Sequence, residues 1–173
     1  MDKTILKKRV KLSGWSIAMT ILTMAFLIGI CVWQFHKTEN EFFCWLLLGI
    51  IVVWSFCTLF YSPVYIVLTE DSINVETMMR VRRIPIDEIV SVKICEPTMS
   101  ERRICGSGGY FGYFGWFSEP SIGKYFAYYG MSSQTFLIRL KSGRQYMLGC
   151  INSKEMAKAL ADRLTQHLKT KTL

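Results

Sequence analysis

Two stretches of the chain carry no charged residue at all, Gly14 to Phe35 and Phe42 to Pro63. At 1.5 Å per residue, about 20 apolar residues cross a hydrocarbon core of roughly 30 Å. The pattern therefore predicts a transmembrane helical hairpin over 14–61, with helices at 14–35 and 42–61 and a short connection between them. After Ser62-Pro63 the period changes. VYIVLT (Val64 to Thr69), SINVETM, RVRRIPI, IVSVKICE (Ile89 to Glu96), KYFAYYG (Lys124 to Gly130), TFLIRLK (Thr135 to Lys141) and RQYMLGCI (Arg144 to Ile151) are short, rich in β-branched and aromatic residues and divided by polar turns. They predict seven antiparallel strands, with a loop of residues 97–123 before the fifth. The last segment returns to a helical period. Asn152 and Glu155 have capping-box spacing, and Met156, Leu160, Leu164 and Leu168 recur every four residues, an apolar stripe suited to covering a curled sheet.

Composition sharpens this division. Hydrophobic residues make up 51% of the chain and mean hydropathy is +0.25, an excess concentrated in the two apolar runs, which excludes a soluble single-domain enzyme. The remainder suffices for one small domain with its own core. The expected organisation is a basic cytoplasmic tail over 1–13, the membrane hairpin over 14–61 and a cytoplasmic domain over 62–173. Lys3, Lys7, Lys8, Arg9 and Lys11 precede the first run against one acid, Asp2. Basic flanks stay on the cytoplasmic side, so the expectation is an integral two-span, multi-pass protein of the inner (cytoplasmic) membrane with both termini cytoplasmic. A cleaved signal peptide fits the first run less well, because the run is long and no small-x-small site follows it. Gly14, Ala18, Ala25 and Gly29 share one helical face, which suits close packing on the second run or a homo-oligomer.

Chemistry-bearing residues are sparse. The six cysteines, at 31, 44, 57, 95, 105 and 150, form no C-x-x-C pair, and His36 and His167 have no partner constellation. No metal site, cofactor or catalytic residue is expected. The adjacent acids Glu70-Asp71 and Asp87-Glu88 read as solvated turns rather than acid/base couples. From Ser62 onward there are 15 Lys/Arg against 10 Asp/Glu. Proximity to an anionic inner leaflet accounts for that excess without nucleic acid as a partner.

The order VYIVLTEDSINVET, RRIPIDEIVSVKI, GSGGYFGYFGWF, SIGKYFAYYG and TFLIRLKSGRQYML, ending in a helix, resembles the bacterial pleckstrin-homology-like domains of small membrane-anchored proteins. The resemblance covers Val64 to about Lys169, with IPIDEI and GYFG…IGKY as its most specific pieces. It implies an α+β fold: a seven-stranded antiparallel roll or barrel capped by a C-terminal helix. It also implies a non-enzymatic module binding lipids, peptides or partner proteins. The basic first hairpin with which eukaryotic relatives grip inositol phosphates is acidic here, at Glu70 and Asp71, so that specificity does not carry over.

One segment stands apart. Cys105 to Phe117 interleaves five glycines with Tyr110, Phe111, Tyr113, Phe114, Trp116 and Phe117, between Arg102, Arg103 and Lys124. It lacks the order of a phosphate-binding loop. Either its aromatics form an extra wall of the core, or the loop contacts the bilayer, anionic phospholipid headgroups, the helices or a protein partner. The expected function is a membrane-anchored binding or scaffolding module; the alternative is a sensor closing this loop on a lipid or small ligand.

Overall fold

The computed structural model describes residues 3–37, 41–98 and 100–171. Strand β1 (Thr4–Arg9) leads into helices α1 (Gly14–Lys37) and α2 (Glu41–Tyr61). Nine strands follow: β2 (Pro63–Thr69), β3 (Ser72–Thr77), β4 (Val81–Pro85), β5 (Ile89–Ile94), β6 (Arg102–Gly109), β7 (Gly112–Glu119), β8 (Gly123–Tyr129), β9 (Thr135–Leu140) and β10 (Gln145–Gly149). Helix α3 (Ser153–Lys171) closes the chain. The connection at 38–40 lies outside the described residues, as does the side chain of Leu168 in the α3 stripe.

The strands form two sheets, β1-β2-β3-β4 and β5-β9-β10-β8-β7-β6, antiparallel except where β8 runs parallel to β10. The fold is α+β, with a sheet system resembling a pleckstrin-homology roll. Two expectations about its class need correction. Among the described residues ten strands form rather than seven, and neither sheet closes into a barrel. Pro85 helps explain the open seam. It has no N–H to continue a ladder, and the 3-10 turn Ile86–Glu88 follows it, with the Ile86 N–H bound to the Asp71 carbonyl at 2.9 Å. The chain then enters β5, which pairs with β9 in the second sheet and leaves β4 an edge.

A third correction concerns the helices. Among the described residues only α1 is long and apolar enough to cross a membrane. The described apolar stretch of α2, Trp45–Tyr61, is shorter, at most about 26 Å of helix against a core of roughly 30 Å. The two-span, multi-pass inner-membrane topology with both termini cytoplasmic is therefore not supported. Gly14 and Gly29, expected at a tight helix contact, have nothing within 4 Å of where a side chain would begin. The contacts that are made lie elsewhere, as in the edge-on pair Phe35–Trp45 with ring centroids 5.9 Å apart.

Residues 4–9, read in the sequence only as positive charge, are an edge strand. β1 pairs with β2 from Thr4↔Thr69 to Arg9↔Tyr65. Lys7 Nζ meets Glu76 at 2.7 Å, and Lys8 Nζ meets Glu155 of α3 at 2.8 Å. The helix pair thus leaves one sheet and returns to it, and a cleaved leader would remove a strand of that sheet.

Between the sheets lies the main core, including Ile66, Leu68, Ile73, Val75, Phe136, Ile138 and Leu148, closed by Met156 and Leu160 of α3. A second cluster, including Phe117, Tyr125, Ala127, Tyr129, Leu137 and Met147, occupies the opposite face of the second sheet. Period-2 alternation sorts β8 between them: Tyr125, Ala127 and Tyr129 go one way, Phe126 and Tyr128 the other.

Candidate functional site

The glycine and aromatic segment is a β-hairpin, β6–β7, turning at Tyr110-Phe111. Glycine weakens a strand reading, so the sequence suggests a loop, yet here glycine is what lets the strands meet. Gly106 stands opposite Gly115, with φ of +132° and +120°. A Cβ on either would run into backbone of the other strand: the Phe114 carbonyl for Gly106, the Cys105 carbonyl for Gly115.

The hairpin tip is fastened to the helix pair. The Phe111 N–H donates to Thr20 Oγ1 at 2.9 Å, while the Thr20 hydroxyl donates to the Ser16 carbonyl at 2.7 Å. Ser62 Oγ, just after α2, donates to the Phe111 carbonyl at 2.8 Å. The Tyr110 hydroxyl reaches between the helices, donating to Met24 Sδ at 3.0 Å and lying 3.5 Å from Ser55 Oγ. Ser107 Oγ holds the turn by donating to the Tyr110 carbonyl at 2.6 Å. Phe114 stacks on Tyr61 with centroids 6.5 Å apart.

The nine expected contact residues thus divide. Tyr110, Phe111, Phe114 and Arg103 gather beside α1 and α2. Tyr113 and Phe117 instead stack on Tyr129 (4.8 Å) and Tyr125 (6.3 Å) at the second cluster. Trp116 is 42% exposed and meets Phe126 edge-on. Arg102 and Lys124 are exposed, each opposite Ser118 in its ladder. Sequence reasoning missed the helix side of the contact, Ser16, Thr20, Ser55 and Ser62. The available signal was hydroxyls inside apolar runs, where such groups seek hydrogen-bond partners.

Two hollows adjoin the tip. A cleft of about 480 Å³ is bounded by Thr23 and Leu27 of α1, Trp54 and Thr58 of α2, and Arg103, Gly106, Ser107, Tyr110 and Phe114. An apolar groove of about 720 Å³ follows α2 from Trp45 to Tyr61 and shares Trp54, Thr58 and Phe114 with it. At the other end of the domain, a cleft of about 430 Å³ gathers Arg82, Arg83, Lys141 and Arg144 around Tyr146 and Glu88. The Arg82 guanidinium donates to the Tyr146 hydroxyl at 2.9 Å. The four basic residues come from β4 and the β9–β10 turn, so no local motif marks them.

Beside the second cluster, Glu101 accepts hydrogen bonds from the hydroxyls of Tyr125 and of Tyr129, the latter at 2.9 Å. Burial first, and then the Glu101 carboxylate, push both phenols above their ordinary range. Glu119 is buried and accepts from Thr98 at 2.7 Å and Ser121 at 3.1 Å. Burial raises the Cys150 thiol to about 12, so it is an inert core group rather than a nucleophile. Among the described residues no three His, Cys, Asp or Glu side chains are placed to hold a metal ion. Glu70, Asp71, Asp87 and Glu88 are all exposed.

The model of one protein family, described as Bacterial PH domain, matches residues 64–164. No curated protein and no solved structure matches the chain.

Proposed function

The chain belongs to the bacterial PH domain family, and from that premise we propose that it is a binding or scaffolding module held at a membrane by α1, with its β6–β7 hairpin as the joint between domain and helices. The family identity makes the function non-enzymatic. The carrying observation is the docked tip: Phe111 and Tyr110 bond to Thr20 and Met24 of α1, and Ser62 bonds back to Phe111. A hairpin fixed in this way sets the orientation of the domain relative to an apolar helix that offers Ile21, Leu22 and Phe26 outward. Exposed apolar area of this kind calls for lipid or a partner.

The test separates attachment from orientation. The full chain should float with lipid vesicles and stay bound through high salt and alkaline wash, since apolar burial rather than charge would hold it. Replacing Thr20 by valine, Ser62 by alanine and Tyr110 by phenylalanine together, which removes the side-chain groups of the bonds at the tip, should leave flotation intact and make the domain markedly easier to cleave from the helices by limited proteolysis. Release of the parent by salt alone would overturn the attachment, and unchanged cleavage of the variant would overturn the joint.

A further inference from the structure

We propose that the cleft between α1, α2 and β6 holds one acidic phospholipid, its headgroup at Arg103 and one acyl chain in the groove along α2. This rests on the membrane reading above and assigns that site a ligand.

Charge comes first. Arg103 lines the cleft together with Leu27, Trp54 and Phe114, and among the described residues it forms no ion pair. Its side chain lies along β6 over Gly108, where a Cβ would stand 3.3 Å from Nη1, so the missing side chain at Gly108 leaves room for it. Arg103 is exposed at the mouth of the cleft, and its guanidinium presents a planar donor fork suited to a phosphate. Thr23 and Ser107 border the same space.

Shape comes next. Through Trp54, Thr58 and Phe114 the cleft opens into the apolar groove, whose lining runs from Trp45 to Tyr61. That span is about 26 Å of helix, longer than the ~15 Å depth of one bilayer leaflet, so an extended acyl chain fits along it. A soluble anion would leave the groove empty, and an uncharged hydrocarbon would leave Arg103 unmatched. An anionic amphiphile satisfies both ends. The basic cleft at Arg82 and Lys141 lacks such a groove and sits at the far end of the domain. β2 and β4 run away from the helices toward it, while the near end is marked by the Ser13 N–H bonded to the Gly130 carbonyl.

The experiment reconstitutes the full chain in vesicles of phosphatidylcholine mixed with phosphatidylglycerol, checks flotation, extracts the protein in mild detergent and counts retained lipids by native mass spectrometry. The parent should keep one phosphatidylglycerol per chain. Arg103→Gln should reduce that retention about tenfold, as expected for a lost charge-assisted hydrogen bond. Gly49→Phe, which fills the groove where a side chain meets nothing within 4 Å, should reduce it similarly while circular dichroism stays that of the parent. Lys141→Ala with Arg144→Ala should retain the lipid.

A parent that floats but keeps no phosphatidylglycerol in preference to phosphatidylcholine overturns the lipid site and leaves the membrane reading standing. A parent that does not float overturns both. Full retention in Arg103→Gln, or loss in the Lys141/Arg144 variant, shows that the headgroup is held elsewhere and overturns the assignment.

Discussion

Replacing Gly106 by alanine tests whether the glycine-rich hairpin is a tightly crossed pair of strands or a pliable loop. At φ +132° the backbone lies in a region that only glycine occupies comfortably, a cost of about 1–3 kcal/mol for any other residue. The added Cβ would also meet the Phe114 carbonyl oxygen and the Cα of Gly115. Both belong to backbone and cannot swing aside, so β6 and β7 must separate locally. Losing one ladder hydrogen bond there adds about 1 kcal/mol. The total is about 3 kcal/mol, which for a chain of this size lowers the melting temperature by roughly 6–12 °C. The assay is thermal unfolding of the purified full chain, with Gly143→Ala as reference. Gly143 also has positive φ, at +78°, but nothing lies within 4 Å of its would-be Cβ. Its cost is backbone strain alone, about 1–2 kcal/mol. If Gly106→Ala melts no lower than Gly143→Ala, the strands do not cross closely and the hairpin geometry described above is wrong.

Three further outcomes follow from named contacts. Thr20→Val removes the acceptor of the Phe111 N–H, so hydrogen exchange at that amide should accelerate by about tenfold, the scale of one lost hydrogen bond with its donor left unpaired; unchanged protection would mean the tip is not held by α1. Because the folded state keeps Tyr125 and Tyr129 protonated beyond the ordinary phenol range, their contribution to stability is present below about pH 10 and falls as pH rises above it. Glu101→Gln, which removes the carboxylate beside both phenols, should weaken that alkaline loss, as followed by thermal melts with tyrosine absorbance; identical alkaline limbs would refute the coupling. The hydrogen bond from Lys8 holds the Glu155 carboxyl below its ordinary range, so its contribution is present above that range and is lost as pH falls through the lowered value. Glu155→Gln should flatten the acid limb of a melting-temperature profile slightly, and an unaltered limb would show that the β1–α3 bridge contributes nothing.

The amino-acid sequence determined the elements that repeat locally. Charge-free runs mark α1 and α2, alternation marks β2 and β9, and the four-residue period from Met156 marks α3, because each element's own periodicity decides which face it buries. It also carried enough of the order from Val64 onward for the family to be recognised. Three things were left to tertiary structure. The basic residues of β1 look like a tail until Arg9 finds Tyr65 across the ladder, since an edge strand's hydrogen bonds come from a partner more than fifty residues away. The hairpin looks like a loop because glycine has no strand preference of its own, and only the opposing Gly106 and Gly115 give it a reason to be there. Whether the sheets close was decided at Pro85, where the chain turns from β4 toward β9. The aromatic residues of 105–117 show the same division: composition announced a cluster, but the alternation of β7 and the position of the helices sent Phe114 to Tyr61 and Phe117 to Tyr125. A side chain's partner is set by where the backbone around it goes, and that path is fixed by contacts distant in sequence.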